Sequence, residues 1–360
     1  MAQQSILVES DANGLRAALM VNRRLQAIEI DRTNKPFSVG ATMPAKVIRT
    51  VTGLGTTVKL ADGTEMLLDR GGGKSPLASG ADLIVQVIKP PRGDKDGIAS
   101  RSITLIGRGL VHLPMESGIK VSRRLDIDAD RRAALEAALS GFPGGWIVRR
   151  TATTLSLEDI QIEAQALALE GKQAAAGKSK APDAFRRLIG DYGASETLAI
   201  QVAGLAAKAT VERWCAAFAP GLAMKIEPQP NGLFDRYDLD DAVAALAERK
   251  AALPGGASLV IEATEALTAI DVNAGPQANM VAVNLDAAVE IARQLRLRHI
   301  GGIVVIDFIS MPRRQDQMRV VEALNVALAD DPSQTYVLPM SALGLVEMTR
   351  ERRGPGLEFG

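Results

Sequence analysis

The stretch Ser258-Leu259-Val260-Ile261-Glu262-Ala263-Thr264-Glu265-Ala266-Leu267-Thr268-Ala269-Ile270-Asp271-Val272-Asn273 decides how this chain reads. Residues 258–263 and 267–272 are two strand-like runs, and Thr264-Glu265 between them lets them pair as a hairpin. Asp271 and Asn273 are two apart, which places both side chains on one face of the strand end. Downstream, Leu285, Val289, Ala292 and Leu295 recur at helical spacing, so a helix is expected over 284–298, ended by Gly301-Gly302. Ile303-Val304-Val305-Ile306 then reads as a central strand that stops at Asp307. Carboxylates ending neighbouring strands repel each other unless a proton or a cation lies between them. With no cysteine or histidine nearby, a hard cation with oxygen ligands is the natural choice, and Mg2+ the obvious one. Such an ion serves phosphodiester hydrolysis, with Asn273 holding a carboxylate or a phosphate oxygen. On spacing alone, the alternative stands that both aspartates only cap strand ends or pair with arginines.

Composition narrows the field around this segment. At 360 residues the chain has room for two to four modules. Its 42 Lys and Arg balance 42 Asp and Glu, so any surface for nucleic acid must be local. A single cysteine, Cys215, excludes an intrachain disulfide and a multi-cysteine zinc site, and fits a reduced cytoplasm. His112 and His299 lie far apart and read as surface or core fillers. The N-terminus has no basic flank and only a short apolar run, unlike a signal peptide, and no stretch approaches the roughly 18 apolar residues of a membrane span.

Upstream, 5–8 reads as a strand, 15–19 as a helix and 25–30 as a second strand. Four short strands punctuated by Gly and Asp turns follow at 45–51, 56–60, 65–68 and 83–88, which suggests a small OB-type barrel within 38–101. The next segment is expected to hold one strand, 146–148, a long helix over 157–176 and a polar, exposed connection over 172–182. Between Phe37 and Phe142 there is no Phe, Tyr or Trp, so the barrel lacks the rings on which such folds stack bases; Val58 and Leu67 occupy the corresponding strands.

Within the quoted segment, Thr264-Glu265-Ala266-Leu267-Thr268-Ala269-Ile270-Asp271-Val272-Asn273 resembles the metal-binding signature of the ribonuclease E/G family. So do Glu290-Ile291-Ala292-Arg293-Gln294-Leu295-Arg296-Leu297-Arg298, Val305-Ile306-Asp307-Phe308 and Gly344-Leu345-Val346-Glu347-Met348-Thr349-Arg350. The resemblance implies Asp271 and Asp307 as Mg2+ ligands, with Asn273 supporting the ligands or orienting the scissile phosphate. More weakly, Ile147-Val148-Arg149-Arg150-Thr151 looks like the family's pocket for an RNA 5′-monophosphate. There Arg150 would pair with the phosphate and Thr151 would donate to it, while the extra arginine leaves Arg149 as an alternative. Gly107 and Val111 fall at the spacing that completes the pocket, and Arg92-Gly93-Asp94-Lys95 resembles a basic turn of the RNA-binding barrel.

By this resemblance the chain is an α+β multidomain protein. An RNase H-like domain, 1–37 and 183–246, is split around an OB-fold barrel, 38–101, and a 5′-sensor region, 102–182. A DNase I-like α/β catalytic domain, 247–360, follows. The implied reaction is Mg2+-dependent hydrolysis of single-stranded RNA that leaves 5′-phosphates, in RNA processing and decay. A cytoplasmic homodimer without membrane contact is expected, and no structural zinc, since the family's zinc-linking cysteine pair has no counterpart before Gly360. Two other classes compete: a non-catalytic RNA-binding relative and a magnesium phosphoesterase acting on something other than RNA.

Other signals are weaker. Gly71-Gly72-Gly73-Lys74-Ser75 lacks the glycine that a phosphate loop needs at Leu68, and Gly177-Lys178-Ser179 also fails on spacing. Arg293, Arg296 and Arg298, like Arg123-Arg124, read equally well as phosphate contacts or as solvated charge. Trp214 and Phe218, at helical spacing, read as core.

Overall fold

The computed structural model describes residues 4–12, 14–31, 38–51, 55–69, 77–91, 96–122, 125–193, 198–276 and 279–352. These divide into two compact units, Met1–Arg24 with Ile28–Leu233, and Leu25–Ala27 with Phe234–Gly360.

The first unit opens with three antiparallel strands, β1 (Gln4–Asp11), β2 (Gly14–Val21) and β3 (Arg24–Ile30). The helix expected over 15–19 is therefore a strand, paired to β1 from Gln4↔Val21 to Asp11↔Gly14. A short apolar run is compatible with either element, and here the turns decide. Asn22 and Arg23 both take positive φ (49° and 61°), the geometry of a tight two-residue hairpin connection. Next come β4 (Thr42–Val51), β5 (Gly55–Leu60), β6 (Glu65–Leu68), β7 (Asp82–Lys89) and β8 (Gly97–Ser100), which close into a five-stranded barrel in the order β4-β5-β6-β8-β7. Val47, Val58, Met66, Val85, Val87 and Ala99 fill its interior. Val58 thus belongs to the core, whereas Leu67 faces outward.

Where one strand was expected over 102–182 there are four, β9 (Leu105–Ile106), β10 (Leu110–Leu113), β11 (Gly118–Val121) and β12 (Gly145–Val148). Runs of two to four residues are too short for alternation to show. Two helices pack with this sheet: α1 (Ala129–Leu139), capped by Asp128, and α2 (Leu157–Ala175), capped by Ser156. The connection after α2 is less exposed than expected, because buried Ser179 exchanges backbone and side-chain hydrogen bonds with Thr42 at the start of β4. Then follow α3 (Ala184–Tyr192), β13 (Leu198–Ala203), α4 (Leu205–Phe218) and β14 (Ile226–Gln229). Trp214 and Phe218 stack on each other, and Phe185 meets Trp214 edge-on, so these rings do serve as core. β13 pairs parallel with β1, Gln4↔Leu198 to Glu9↔Ala203, which gives a five-stranded sheet of order β14-β13-β1-β2-β3.

After the single turn α5 (Leu233–Arg236), the second unit comprises α6 (Leu239–Ala245), β15 (Lys250–Ala252), β16 (Ser258–Ala263), β17 (Leu267–Asn273), α7 (Met280–Leu297), β18 (Gly302–Asp307), α8 (Arg314–Leu328), β19 (Thr335–Val337) and β20 (Leu345–Arg350). Its sheet runs β15-β16-β17-β18-β20-β19. The even positions of β17 and β18, among them Ile270, Val272, Val304 and Ile306, pack with α7 and α8 in one apolar core. Each such side chain contributes roughly 1.5–3 kcal/mol on burial.

The helix begins before residue 284, capped by Asn279, and its buried stripe is Val283, Ala287, Ala288, Ile291, Ala292 and Leu295. Val289, expected inside, is 50% exposed. The end is not made by Gly301-Gly302. Instead His299 takes the left-handed conformation (φ 52°), and Ile300 N–H and His299 N–H donate to the carbonyls of Leu295 and Arg296.

Candidate active site

Parallel pairing of β17 with β18 sets Asp271 directly opposite Asp307. Adjacent strands lie about 4.8 Å apart, so the two carboxylates are immediate neighbours on the face turned away from α7 and α8. Both are exposed. Asn273 shares that face, and its Nδ2 donates to Asp271 Oδ2 at 2.8 Å. That bond fixes the rotamer of Asp271 and leaves Oδ1 uncommitted to it. Among the described residues neither aspartate has an ion-pairing arginine or lysine, so the strand-capping alternative lacks its arginines. Nor do three or more His, Cys, Asp or Glu cluster anywhere among them. Two neighbouring, uncompensated carboxylates beside an amide suit a cation that keeps most of its water, as Mg2+ does, rather than one needing a full protein cage.

The sequence reading missed one member of this corner. Asn284, fully buried on α7, donates from Nδ2 to the Ile309 carbonyl (2.8 Å) and accepts from the Ile309 N–H (3.1 Å). It therefore anchors the chain two residues beyond Asp307. The available signal was an amide flanked by the apolar positions 283, 287 and 288 on the core face of the helix. Arg293, Arg296 and Arg298 are neither solvated charges nor open phosphate contacts. Arg293 pairs with Glu290, Arg296 donates to the Ala327 carbonyl, and Arg298 donates to Gln294 and to the Glu248 carbonyl. Arg123 and Arg124 lie outside the described residues.

In the first unit, antiparallel pairing of β10 with β12 sets Val111 opposite Ile147 and Leu110 opposite Val148. The ladder continues to Arg149, whose N–H donates to the Gly109 carbonyl at 2.9 Å. The Arg149 guanidinium donates to the Gly107 carbonyl (2.7 Å) and the Gly190 carbonyl, and pairs with Asp191 at 3.2 Å. Arg149 is thus committed to holding backbone. Arg150 is exposed and opens a 3-10 turn, Arg150–Thr153, with Thr151 half-buried beside it. Four of the expected pocket residues, Gly107, Val111, Arg150 and Thr151, accordingly sit on segments joined by direct hydrogen bonds. His112 stacks on Trp146 and is buried, which lowers its pKa and fits a core filler.

On the barrel, Arg92 and Lys95 lie outside the described residues. Within them, Lys46 on β4 faces Lys59 on β5 in register, both exposed, beside a groove also lined by Ser79 and Asp82. Lys59 is not singled out by the sequence, because its place opposite Lys46 comes only from the cross-strand register. No helix among the described residues is long and apolar enough to cross a membrane.

The corner on β17 and β18 defines a candidate divalent-cation site, in a protein that also carries a five-stranded barrel. Comparison with known proteins gives the family. Residues 104–353 match the model of the Ribonuclease E/G family, and the chain belongs to that family. It is 30% identical to ribonuclease G of Haemophilus influenzae over 98% of this chain and 80% of that protein. It is 32% identical to ribonuclease G of Escherichia coli K12, over 78% of this chain and 61% of the relative. The figures for ribonuclease E of Nostoc are 32%, 78% and 44%. The chain thus spans less than two thirds of the length of several of the relatives it matches.

Proposed function

We propose that this chain is a Mg2+-dependent endoribonuclease that hydrolyses single-stranded RNA and leaves 5′-phosphate ends, acting in RNA processing and decay. The observation that carries this reading is the in-register pair Asp271 and Asp307 with Asn273 beside them. Mg2+ held by the two aspartates would supply charge stabilisation at the phosphodiester and activation of the attacking water. Asp271 and Asp307 would hold the cation, and Asn273, which donates to Asp271, would keep that ligand oriented or meet a phosphate oxygen. Asn284 holds the chain that follows Asp307, so that carboxylate is presented from a braced strand end.

We assign 5′-monophosphate recognition to Arg150 and Thr151, with Gly107 and Val111 completing the pocket. Commitment of Arg149 to three acceptors supports giving the phosphate contact to Arg150. The finer architecture follows the same reading: an RNase H-like domain, 1–37 with 183–246, interrupted by the OB-fold barrel and the 5′-sensor region, then a DNase I-like catalytic domain. Parallel pairing of β1 with β13, far apart in sequence, supports a domain interrupted by insertions.

The test is to incubate the purified chain with a 5′-monophosphorylated single-stranded RNA, and with the matching DNA, in Mg2+ or in chelator. Mg2+-dependent cleavage of RNA alone is expected. RNA bound but uncut in every condition would make the chain a non-catalytic relative, and equal cleavage of DNA would make it a broader phosphoesterase.

A further inference from the structure

Beneath the 107–109 turn lies a carboxylate that nothing above uses. Glu163, on α2, is 2% exposed, and both of its oxygens accept from the Gly109 N–H, at 3.1 and 3.0 Å. A Cβ at Gly107 would lie 2.2 Å from Glu163 Oε1, and one at Gly109 3.1 Å from Oε2. Neither glycine has positive φ, so space rather than backbone conformation excludes a side chain: at Gly107 the carboxylate is the nearest obstacle, and at Gly109 it shares that role with Leu155. From the other side Arg149 takes the carbonyls of Gly107 and Gly109. The turn is therefore gripped by its amide from below and by its carbonyls from the segment that leads into Arg150 and Thr151.

We propose that Glu163 is the positioning residue of the 5′-phosphate pocket: it sets the 107–109 turn, and through Arg149 the placement of Arg150 and Thr151. This rests on the pocket reading given above. Glutamine could accept the same N–H, so the presence of an acid has its own consequence. Among the described residues Glu163 forms no ion pair. The charges and titratable groups around it are Arg108, Arg149 with its partner Asp191, and Cys215 beyond Arg108. Burial outweighs the Gly109 hydrogen bond and the attraction of the two arginines, and pushes its pKa up to about 7. The group therefore changes charge near neutrality. An anion there repels a 5′-phosphate, so the pocket grips harder when Glu163 takes up a proton from solvent.

The experiment compares the full chain with Glu163→Gln and Glu163→Ala. It measures kcat/KM for RNAs of one sequence bearing a 5′-phosphate or a 5′-hydroxyl. The pH runs from about 7 to about 8.5, where a phosphomonoester is already close to doubly charged. The wild-type preference for the 5′-phosphate should fall several-fold across this range. Glu163→Gln should keep the preference and lose its pH dependence, and Glu163→Ala should lose roughly tenfold of it, the scale of one charge-assisted contact. A wild-type preference retained by Glu163→Ala, or a Glu163→Gln profile that follows the wild type, overturns the proposal. If the alanine variant does not fold, the glutamine profile decides alone. Absence of any preference in the wild type would overturn the pocket reading itself, and that shows before any substitution is made.

Discussion

The two candidate sites are built by opposite means. At the corner of β17 and β18, two carboxylates stand side by side, exposed, with one amide as support and, among the described residues, no arginine or lysine paired with them. Around the 107–109 turn the charged groups are directed at backbone: half-buried Arg149 donates to two carbonyls and pairs with Asp191, and buried Glu163 accepts a backbone N–H. The first arrangement leaves ligand capacity for something that must bind. The second spends its charge on shaping backbone, with Arg150 exposed on the adjoining turn. Exposed neighbouring carboxylates suit a cation, whereas the charges around the turn hold backbone in place.

The contrast breaks most visibly in the carboxylates. Asp271→Asn and Asp307→Asn should each lower the single-turnover cleavage rate by at least about 100-fold while leaving RNA affinity, read by filter binding, nearly unchanged. Wild-type-like cleavage by either variant would remove the metal assignment. Asn273→Ala should cost about tenfold, since it supports a ligand and need not be one.

Arg149 and Arg150 sharpen the comparison within the pocket. Arg150→Ala should erase the preference for 5′-monophosphorylated RNA, roughly tenfold, with little change in stability. Arg149→Ala should instead destabilise the fold by about 1–3 kcal/mol in urea denaturation, because it strands buried carbonyls. The reverse pattern would hand the phosphate contact to Arg149.

Glu163 adds a pH signature to stability. Its folded pKa is raised from 4.5 to about 7, so its contribution is fully present below about pH 4.5 and is lost as pH rises through about 7. Glu163→Gln should flatten that part of the stability curve, worth a few kcal/mol at about 1.4 kcal/mol per pH unit. A curve with the same slope in the variant assigns it to other groups.

The smallest effect belongs to the barrel, which has no aromatic residue among its strands. Its contact with single-stranded RNA should be weak and ionic, centred on the facing Lys46 and Lys59. Lys46→Glu and Lys59→Glu should each weaken RNA binding a few-fold and lower the slope of log affinity against log salt by about 1. Binding that ignores salt would point to a non-ionic grip.

The corner was largely legible in the sequence. Strand-like apolar runs gave both of its strands, with Asp271 near the end of one and Asp307 at the end of the other. The helix behind it was legible in kind and in most of its face, since Leu285, Ala292 and Leu295 pack in the core and only Val289 turns outward. Asn284 and Glu163 were hidden for one reason: a single polar residue on a helix reads as solvated until the partner is known, here 25 and 54 residues away. The strand at Gly14–Val21 is a short apolar run that fits helix or strand; its second turn, Asn22-Arg23, carries no glycine, and the Asn13-Gly14 pair before it is the signal that favours a hairpin.

Binding of a cation by Asp271 and Asp307 is the most direct thing to measure. Mn2+, which accepts the same hard oxygen ligands as Mg2+, can be counted on the full chain by electron paramagnetic resonance as it is titrated in. Wild-type protein should bind about one Mn2+ per chain, displaced by excess Mg2+, and Asp307→Asn should lose that site while melting at the wild-type temperature. Undiminished Mn2+ binding in the folded Asp307→Asn variant would contradict the assignment.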